Sequence, residues 1–381
     1  MTMASPLPVA FPNRASPQPF TMSLVQPLPP GALDIVGDIH GEYSALVQLL
    51  ANLGYDLQGN HPDGRRLVFV GDFCDRGPDS PSVLALVGAM LASGKAHAVL
   101  GNHEINLLRE DAKDGSGWFF DSRVDADQPK YAPFARMPAA QAPAMLRLLN
   151  QLPIALERDD LRIVHAAWRP EQIAMIRKLP SGSARASYDH FEALADAQSA
   201  AQRVAERMRQ EELSWPHSLE DYRYEPPFLP AHSENELNKA MVNPLKVLTA
   251  GVERECRNPF YAGGKWRFVE RVAWWNEYNE APAVIVGHYW RRMRAADAPA
   301  HGAQFENLFG GTSPLSWHGL RSNVFCVDYS VGARWLDRLR GDDPIQRSKL
   351  AAMRWPERVL VFDDGMQAAT ENFGVEVVLR D

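Results

Sequence analysis

Alternating strand and helix patterns predict an α/β core near the start of the chain. Three short apolar runs are typical of buried strands, and they fall at 32–37, 67–71 and 96–101. Between these runs, 43–53 and 80–93 repeat apolar residues every three or four positions, which is the helical period. Ser80 is expected to cap the second helix, with Pro81 as its first residue. Strand, helix, strand, helix, strand in this order predicts βαβ units and a parallel sheet.

The later part of the chain contains further strands and one segment of a different kind. Within 169–281, a charged, alanine-rich pattern predicts one long helix at 193–212, and a Trp- and Pro-rich stretch after it is typical of loops. We therefore expect an insertion or cap at 169–281, between core parts at 31–168 and 282–381. Further apolar runs predict strands at 161–165, 283–287, 323–328, 358–362 and 375–379.

Residues 1–30 are expected to form a disordered tail. They contain eight prolines, one basic residue (Arg14) and no acidic residue. Proline fixes φ and removes a backbone donor, so a proline-rich stretch packs poorly. The prolines also interrupt every apolar run that a secretory signal would need.

Composition then narrows the class of protein. No run approaches the ~18 apolar residues of a membrane helix. The chain has 381 residues, and 40 Lys and Arg against 47 Asp and Glu give a net charge of −7. This balance does not favour nucleic-acid binding. Three cysteines are too few and too scattered for a disulfide framework, which favours a reducing compartment. We expect a cytoplasmic protein with neither a membrane nor a nucleic-acid partner.

Polar residues of a particular kind follow five of the predicted strands. In an open α/β sheet, ligands bind beyond the carboxyl ends of the strands, so these loops should converge on one crevice. Carboxylates, imidazoles and amide oxygens are suitable ligands for Mn, Fe or Zn. The five are GDIHG at 37–41, GDFCDRG at 71–77, GNHE at 101–104, His165 and His288.

These residue types are sufficient for a centre that holds two metal ions. Two ions ~3.5–4 Å apart need a bridging ligand, and a carboxylate can contact both. We expect Asp72 to be that bridge. One site would be completed by Asp38 and His40, and the other by Asn102, His165 and His288.

The order of these motifs resembles that of the calcineurin-like metallophosphoesterases. More narrowly, it resembles the phosphoprotein-phosphatase branch, with its bacterial and phage members and the symmetric diadenosine tetraphosphatases. The resemblance covers mainly residues 32–120, and only short segments match later in the chain. It implies an α/β fold, a four-layer β-sandwich flanked by helices, here with a helix-containing insertion between the later strands. It also implies two divalent metal ions, with Mn favoured and Fe or Zn as alternatives.

The resemblance implies hydrolysis of phosphate monoesters by direct attack of a metal-held hydroxide, and physical chemistry assigns the remaining roles. The leaving group needs a proton, and His103 is the expected donor. Asp75 would keep His103 protonated, because a nearby carboxylate raises the pKa of an imidazole.

Three residues are expected to bind the substrate. Arg76 offers a planar fork for two contacts to phosphate, and Asn102 is expected to bind the substrate as well. The family implies a second phosphate-binding arginine, which is either Arg271 or Arg169.

The sequence leaves three functions open. A serine/threonine protein phosphatase is favoured by the intact Asp75–Arg76 pair, because symmetric diadenosine tetraphosphatases commonly replace that aspartate. A symmetric dinucleoside tetraphosphate hydrolase is favoured by aromatic residues that could stack on a nucleobase, although such groups more often pack in a core. A non-catalytic binding protein is disfavoured by the complete set of ligands. The expected partner is a phosphorylated protein or a small phosphorylated or nucleotide substrate. The aromatic residues are Trp266, Trp274, Trp275, Tyr278, Tyr289 and Trp290.

Overall fold

Two β-sheets packed face to face form the core of the computed structural model, which describes residues 22–293 and 308–375. In chain order the strands are β1 (Val25–Pro27), β2 (Leu33–Val36), β3 (Arg66–Phe69), β4 (Ala96–Ala98), β5 (Ala155–Glu157), β6 (Leu161–Val164), β7 (Glu253–Ala262), β8 (Lys265–Arg271), β9 (Ala283–Val286), β10 (Val324–Cys326), β11 (Ala351–Trp355), β12 (Val359–Phe362) and β13 (Gln367–Ala369). The helices are α1 (Tyr43–Leu53), α2 (Ser80–Ala92), α3 (Asn102–Leu108), α4 (Val124–Tyr131), α5 (Ala142–Asn150), α6 (Pro170–Ile176), α7 (Ala184–Ala201), α8 (Val204–Ser214), α9 (Pro230–Met241), α10 (Pro244–Ala250) and α11 (Arg334–Arg340).

The arrangement of the sheets confirms the α/β sandwich. One sheet has the order β13–β12–β11–β2–β3–β4, and the other has the order β1–β5–β6–β9–β10. Strands β2, β3 and β4 are parallel, as the βαβ pattern predicts. Residues such as Ile35 and Ile163 fill the space between the sheets. Residues on the opposite faces, such as Phe69 and Val164, belong to the core that packs against the helices. Alternate side chains of a strand point to opposite faces, so each sheet is covered on both sides.

The predicted helices α1 and α2 are confirmed, but the cap of α2 differs from the expectation. Asp79, not Ser80, is the N-cap, and its Oδ1 accepts a hydrogen bond from the backbone N–H of Ser82 at 3.0 Å. The Oγ of Ser80 instead accepts from the backbone N–H of Asp75 at 3.0 Å. Ser80 therefore ties the start of α2 to the loop that carries Asp75.

The expected insertion at 169–281 contains α6 to α10 and the antiparallel hairpin of β7 and β8. The prediction of one long helix at 193–212 is wrong. Arg203 has φ of +55°, a left-handed conformation that ends α7, and the chain turns so that both α7 and α8 pack on α9. Helical periodicity does not reveal a single-residue break of this kind. The hairpin was not predicted either, although its Gly263–Gly264 turn is a hairpin signal.

The expectation of a disordered tail up to residue 30 is wrong for its last part. Strand β1 pairs in parallel with β5, and Leu24, Val25 and Leu28 are buried. Pairing with a distant strand supplies the apolar contacts that these residues lack in isolation. Residues 1–21 of the expected tail and residues 376–379 of the expected last strand lie outside the described residues. Among the helices of the described ranges, none combines the length and apolar character that crossing a membrane requires.

Candidate metal centre

The five polar loops converge at one edge of the two sheets. The loops after β2, β3 and β4 come from the six-stranded sheet, and those after β6 and β9 come from the other. Five of the eleven non-glycine residues with positive φ in the described ranges lie in these loops. Such conformations cost free energy and persist where the surrounding structure holds them, often at functional sites. The five are His40 (φ +47°), Asp72 (+52°), Asp75 (+74°), Arg76 (+67°) and His288 (+66°).

Two glycines are required because the carboxylates of the site approach the backbone closely. A Cβ on Gly101 would lie 2.1 Å from Oδ1 of Asp72, and a Cβ on Gly287 would lie 2.0 Å from Oδ1 of Asp38. No larger residue fits at either position without displacing the carboxylate. The glycines of GNHE and of the His288 loop therefore have a packing role at the site.

The carboxylate of Asp72 lies at the centre of the constellation. Its Oδ2 is 3.3 Å from Nε2 of His165, 3.8 Å from Nε2 of His40 and 3.9 Å from Nε2 of His103. Two groups of possible metal ligands share it, and within each group the ligand atoms lie within 4.8 Å of one another. The first group is His40, Asp72 and His103, and the second is Asp72, His165 and His288. This geometry is that of a shared carboxylate between two sites.

The first group differs from the sequence-based set because it contains His103 in place of Asp38. Asp38 is nevertheless close, since its Oδ2 lies 3.9 Å from Nε2 of His40. Both oxygens of Asp38 also accept from the backbone N–H of His288, at 3.2 and 3.1 Å. Asp38 therefore connects the loops after β2 and β9.

Hydrogen bonds to backbone carbonyls orient two of the imidazoles. Nδ1 of His40 lies 3.0 Å from the carbonyl oxygen of Cys74, and Nδ1 of His165 lies 2.8 Å from that of Val70. A carbonyl only accepts, so each Nδ1 carries a hydrogen, and Nε2 is the atom that each ring directs into the site. Both rings therefore present Nε2 towards Asp72.

Asn102 and His288 complete the second side of the site. Oδ1 of Asn102 lies 3.2 Å from Nε2 of His165 and 3.0 Å from Nδ1 of His288. Nε2 of His288 is buried, and it has no hydrogen-bond partner among the described residues. Converging oxygen and nitrogen acceptors repel one another unless a cation or a proton lies among them. The donor set therefore fits a divalent metal such as Mn, Fe or Zn.

Burial and neighbouring charges shift the pKa values of the carboxyl and imidazole groups at this site. Burial favours a raised pKa for Asp72, but the neighbouring His165 and His103 hold the pKa of this carboxyl well below its usual range. Burial, followed by the charge of Arg76, lowers the pKa of His40. Burial likewise lowers the pKa of His288. Burial opposes the protonation of His165 too, but the charge of Asp72 outweighs it and raises the pKa of His165 to about 10. A metal ion bound here would displace that proton, because histidine ligates as the neutral ring.

His103 and Asp75 form a tight pair beside this centre. Nδ1 of His103 lies 2.5 Å from Oδ2 of Asp75, and the indole Nε1–H of Trp118 donates to Oδ1 of the same carboxylate at 2.5 Å. Burial opposes the protonation of His103, but the charge of Asp72 and the bond to Asp75 outweigh it and raise the pKa of His103. The pair thus fixes the ring so that Nε2 points into the site. The sequence motifs above do not identify Trp118 as part of the site.

The structure distinguishes between the candidate arginines. Arg76 reaches into the centre, with Nη1 3.1 Å from Nε2 of His40 and Nη2 3.2 Å from Nε2 of His103. The positive charge of Arg271 is the largest contribution after burial to the lowered pKa of His288, which places Arg271 near the site. Arg169 instead forms an ion pair with Glu277 at 2.6 Å. Arg271 therefore stays the expected second phosphate-binding arginine, and Arg169 is already paired with an acidic residue.

Glu104 was quoted within the GNHE motif but was assigned no role. It is fully buried and accepts from three backbone amides, those of Asp72 (2.8 Å), Phe73 (2.8 Å) and Gly101 (3.0 Å). It thereby holds the loops after β3 and β4 against each other. An acidic residue three positions after a glycine at a helix start is the only local signal of this function.

Comparisons with known proteins agree with these motifs. Residues 32–202 match the family model described as "Calcineurin-like phosphoesterase". Relatives named bis(5'-nucleosyl)-tetraphosphatase PrpE [asymmetrical] include that of Halalkalibacterium halodurans, 48% identical over 79 residues, which are 20% of this chain and 32% of the relative. That of Geobacillus thermodenitrificans is 33% identical over 158 residues, or 38% and 61% of the two chains. The matches thus span about one third to three fifths of these relatives.

Two solved structures resemble the chain at low sequence identity. A cold-active protein-tyrosine phosphatase of Shewanella is 16% identical, with a TM-score of 0.42 and coverage of 91% of this chain and 83% of that one. A protein serine/threonine phosphatase of Saccharomyces cerevisiae is 13% identical, with a TM-score of 0.36 and coverage of 68% and 61%. Residues 32–202, which contain four of the five polar loops, match the calcineurin-like phosphoesterases, the family that the motifs resemble.

Proposed function

We propose that this protein is a metal-dependent hydrolase of phosphate esters. The observation that carries the proposal is the convergence of two carboxylates, three imidazoles and one amide oxygen around the shared Asp72, beside Arg76 and His103. Neither a structural ion pair nor a lone histidine explains so many acceptors in one buried place.

The metal ligands in this proposal are those expected from the sequence. Divalent ions held here would lower the pKa of a water and neutralise phosphate oxygens. We favour Mn²⁺, with Fe and Zn as alternatives, because the set mixes carboxylate, imidazole and amide ligands without a thiolate. Cys74 lies in the same loop but is a fully buried thiol with Sγ 3.4 Å from Oε1 of Glu104. The proposed ligands are Asp38, His40, Asp72, Asn102, His165 and His288.

The remaining side chains supply binding and proton transfer. The guanidinium of Arg76 would bind two phosphate oxygens, with Asn102 and Arg271 as further contacts. His103 would donate its Nε2 proton to the leaving oxygen, and its raised pKa keeps that proton available near neutral pH. Asp75 accepts from Nδ1 and so acts as a positioning residue for His103.

Two substrate classes fit this site. Hydrolysis of phosphoserine or phosphothreonine is supported by the Asp75–His103 pair, because alkoxide leaving groups need a proton donor. Hydrolysis of a dinucleoside tetraphosphate is supported by the names of the relatives, which specify the asymmetrical reaction, whereas the motifs suggested the symmetrical one.

The test is an assay of metal-stripped protein with and without Mn²⁺. The substrates are p-nitrophenyl phosphate, a phosphothreonine peptide and diadenosine tetraphosphate, and phosphate and nucleotide products are followed separately. Mn²⁺-dependent turnover of at least one substrate is expected. Asp72→Asn should lose most of its bound Mn²⁺ and its turnover, whereas Asp63→Asn, with a side chain 83% exposed, is the matched control. Absence of turnover of all three substrates would contradict the proposal, as would full two-metal occupancy in Asp72→Asn.

A further inference from the structure

The aromatic residues that the sequence grouped together are divided by the structure. Five of them pack in the interior: Trp266, Trp274, Trp275, Tyr278 and Tyr289 are all less than 10% exposed. Trp290 is 44% exposed, and it is the only tryptophan of the chain, all ten lying in described ranges, that is so accessible. A platform for stacking a ligand ring must be accessible, so only Trp290 of this group can serve as one.

The backbone on both sides of Trp290 is held firmly. Tyr289 is buried with its ring against Trp275, at 5.3 Å between ring centres. The side chain of Arg291 is also buried and donates to the carbonyl oxygens of Cys326 at 3.2 Å and Ser313 at 3.0 Å. The exposed indole is therefore presented between two anchored neighbours, which lowers the conformational entropy lost when a ligand ring binds.

Trp290 lies beside the phosphate-binding position. The guanidinium carbon of Arg76 is 5.2 Å from the centre of the indole ring, and the same guanidinium reaches His40 and His103. His288, a proposed ligand, is only two residues earlier in the chain. A phosphate held by Arg76 would therefore place the group attached to it within reach of the indole.

From this arrangement we propose that Trp290 stacks on a nucleobase of the substrate and so selects nucleotide substrates. The inference rests on the proposed function and names the substrate class of that same site. A purine presents a flat bicyclic face that matches an indole, and stacking of bases on aromatic side chains contributes to nucleotide affinity. Phosphoserine and phosphothreonine have no ring to place there. The proposal therefore favours the nucleotide class over the phosphoprotein class.

The test compares substrates that differ only in the presence of nucleosides. The kcat and KM of the Mn²⁺-loaded protein are measured with diadenosine tetraphosphate and with inorganic tetraphosphate. Trp290→Leu removes the ring and Trp290→Phe keeps a smaller one. Tyr222→Leu, at a side chain 70% exposed in the segment 169–281, is the matched control.

The expected result is a KM for diadenosine tetraphosphate that rises about tenfold in Trp290→Leu, equivalent to ~1.4 kcal/mol. The factor by which KM rises should be at least five times larger for diadenosine tetraphosphate than for inorganic tetraphosphate. In Trp290→Phe the KM should return most of the way to the wild-type value, and in Tyr222→Leu it should equal that value. An equal rise in KM for both substrates would overturn the proposal, because Trp290 would then act through Arg76. An unchanged KM in Trp290→Leu would also overturn it.

A binding measurement separates this inference from the proposed function. ADP is titrated calorimetrically into Mn²⁺-loaded wild type and Trp290→Leu. If the wild type hydrolyses no phosphoester, the proposed function fails, and the titration alone then decides the role of Trp290. Binding of ADP at least fivefold weaker in Trp290→Leu supports stacking, and equal binding refutes it.

Discussion

Glu104 is predicted to stabilise the fold by accepting from backbone amides of two loops at once. Its Oε2 accepts from the N–H groups of Asp72 at 2.8 Å and Gly101 at 3.0 Å, and its Oε1 accepts from the N–H of Phe73 at 2.8 Å. In Glu104→Gln, one of the two oxygens becomes an amide nitrogen, which cannot accept. In either orientation at least one buried backbone N–H therefore loses its acceptor and faces another donor.

The decrease in the free energy of unfolding follows from the number of hydrogen bonds that the substitution affects. A buried donor left without an acceptor costs roughly 1–3 kcal/mol, and a hydrogen bond to a charged group contributes about 1.5–3 kcal/mol. We expect Glu104→Gln to lower the free energy of unfolding by about 3 kcal/mol, a large share of the ~5–15 kcal/mol typical of folded proteins. An unfolding entropy of roughly 2.1 cal/mol/K per residue gives about 0.8 kcal/mol/K for this chain length. The Tm should therefore fall by about 4 °C.

The assay is thermal unfolding in a chelating buffer, so that differences in metal binding do not contribute. Burial, followed by the charge of Asp72, raises the pKa of Glu104, and a buffer at pH 8 therefore favours the ionised carboxylate. Glu225→Gln, at an exposed position, is the control and should leave the Tm unchanged. A Tm for Glu104→Gln within about 1 °C of the wild type would refute the reasoning.

Three other predictions concern the acid, a buried ion pair and a buried histidine. His103→Gln should keep bound Mn²⁺, but its kcat should fall at least tenfold more on a phosphothreonine peptide than on p-nitrophenyl phosphate, because the nitrophenolate leaving group needs no proton. An equal fall in kcat on both substrates would contradict the role of His103 as the acid. Asp34→Asn should lower the free energy of unfolding, measured in urea, by about 3 kcal/mol. The substitution removes the buried carboxylate that Arg65 contacts at 2.8 and 3.0 Å. A decrease below about 1 kcal/mol would refute this prediction. Burial lowers the pKa of His318 to about 2 in the folded protein, whereas histidine in an unfolded chain has a pKa of about 6.5. Below about pH 6.5 only the unfolded chain takes up this proton, so the free energy of unfolding decreases as the pH falls. Between pH 6.5 and 5, His318→Phe should therefore lose about 1.7 kcal/mol less stability than the wild type in urea titrations, and parallel profiles would contradict this.

The sequence determined the features that depend on neighbours along the chain. The spacing of apolar residues gave α1, α2 and the parallel strands β2, β3 and β4, because a helix or strand must bury one face at its own period. The same logic placed polar loops at strand ends, and the structure brings all six proposed ligands together there. The roles of these residues stay predictions that the experiments above test.

Elements whose signal is not local were missed. Strand β1 pairs with β5, which lies more than a hundred residues away in the chain. The break at Arg203 arises where α7 and α8 both pack on α9, and helix propensity alone does not show it. Asp79 caps α2, and the hydroxyl of Ser80, the first residue of the helix, instead accepts from the loop of Asp75.

The sequence by itself thus determined which residues can hold metal and phosphate, because side-chain chemistry and the spacing within a short motif depend only on residues that are close together in the chain. Only the tertiary structure decided how their surroundings act. It placed Glu104 against three amides and paired Arg169 with Glu277. It also buried five aromatic residues and left Trp290 exposed. Burial, charge and exposure depend on which distant segments pack together, and that information is absent from any short stretch of sequence.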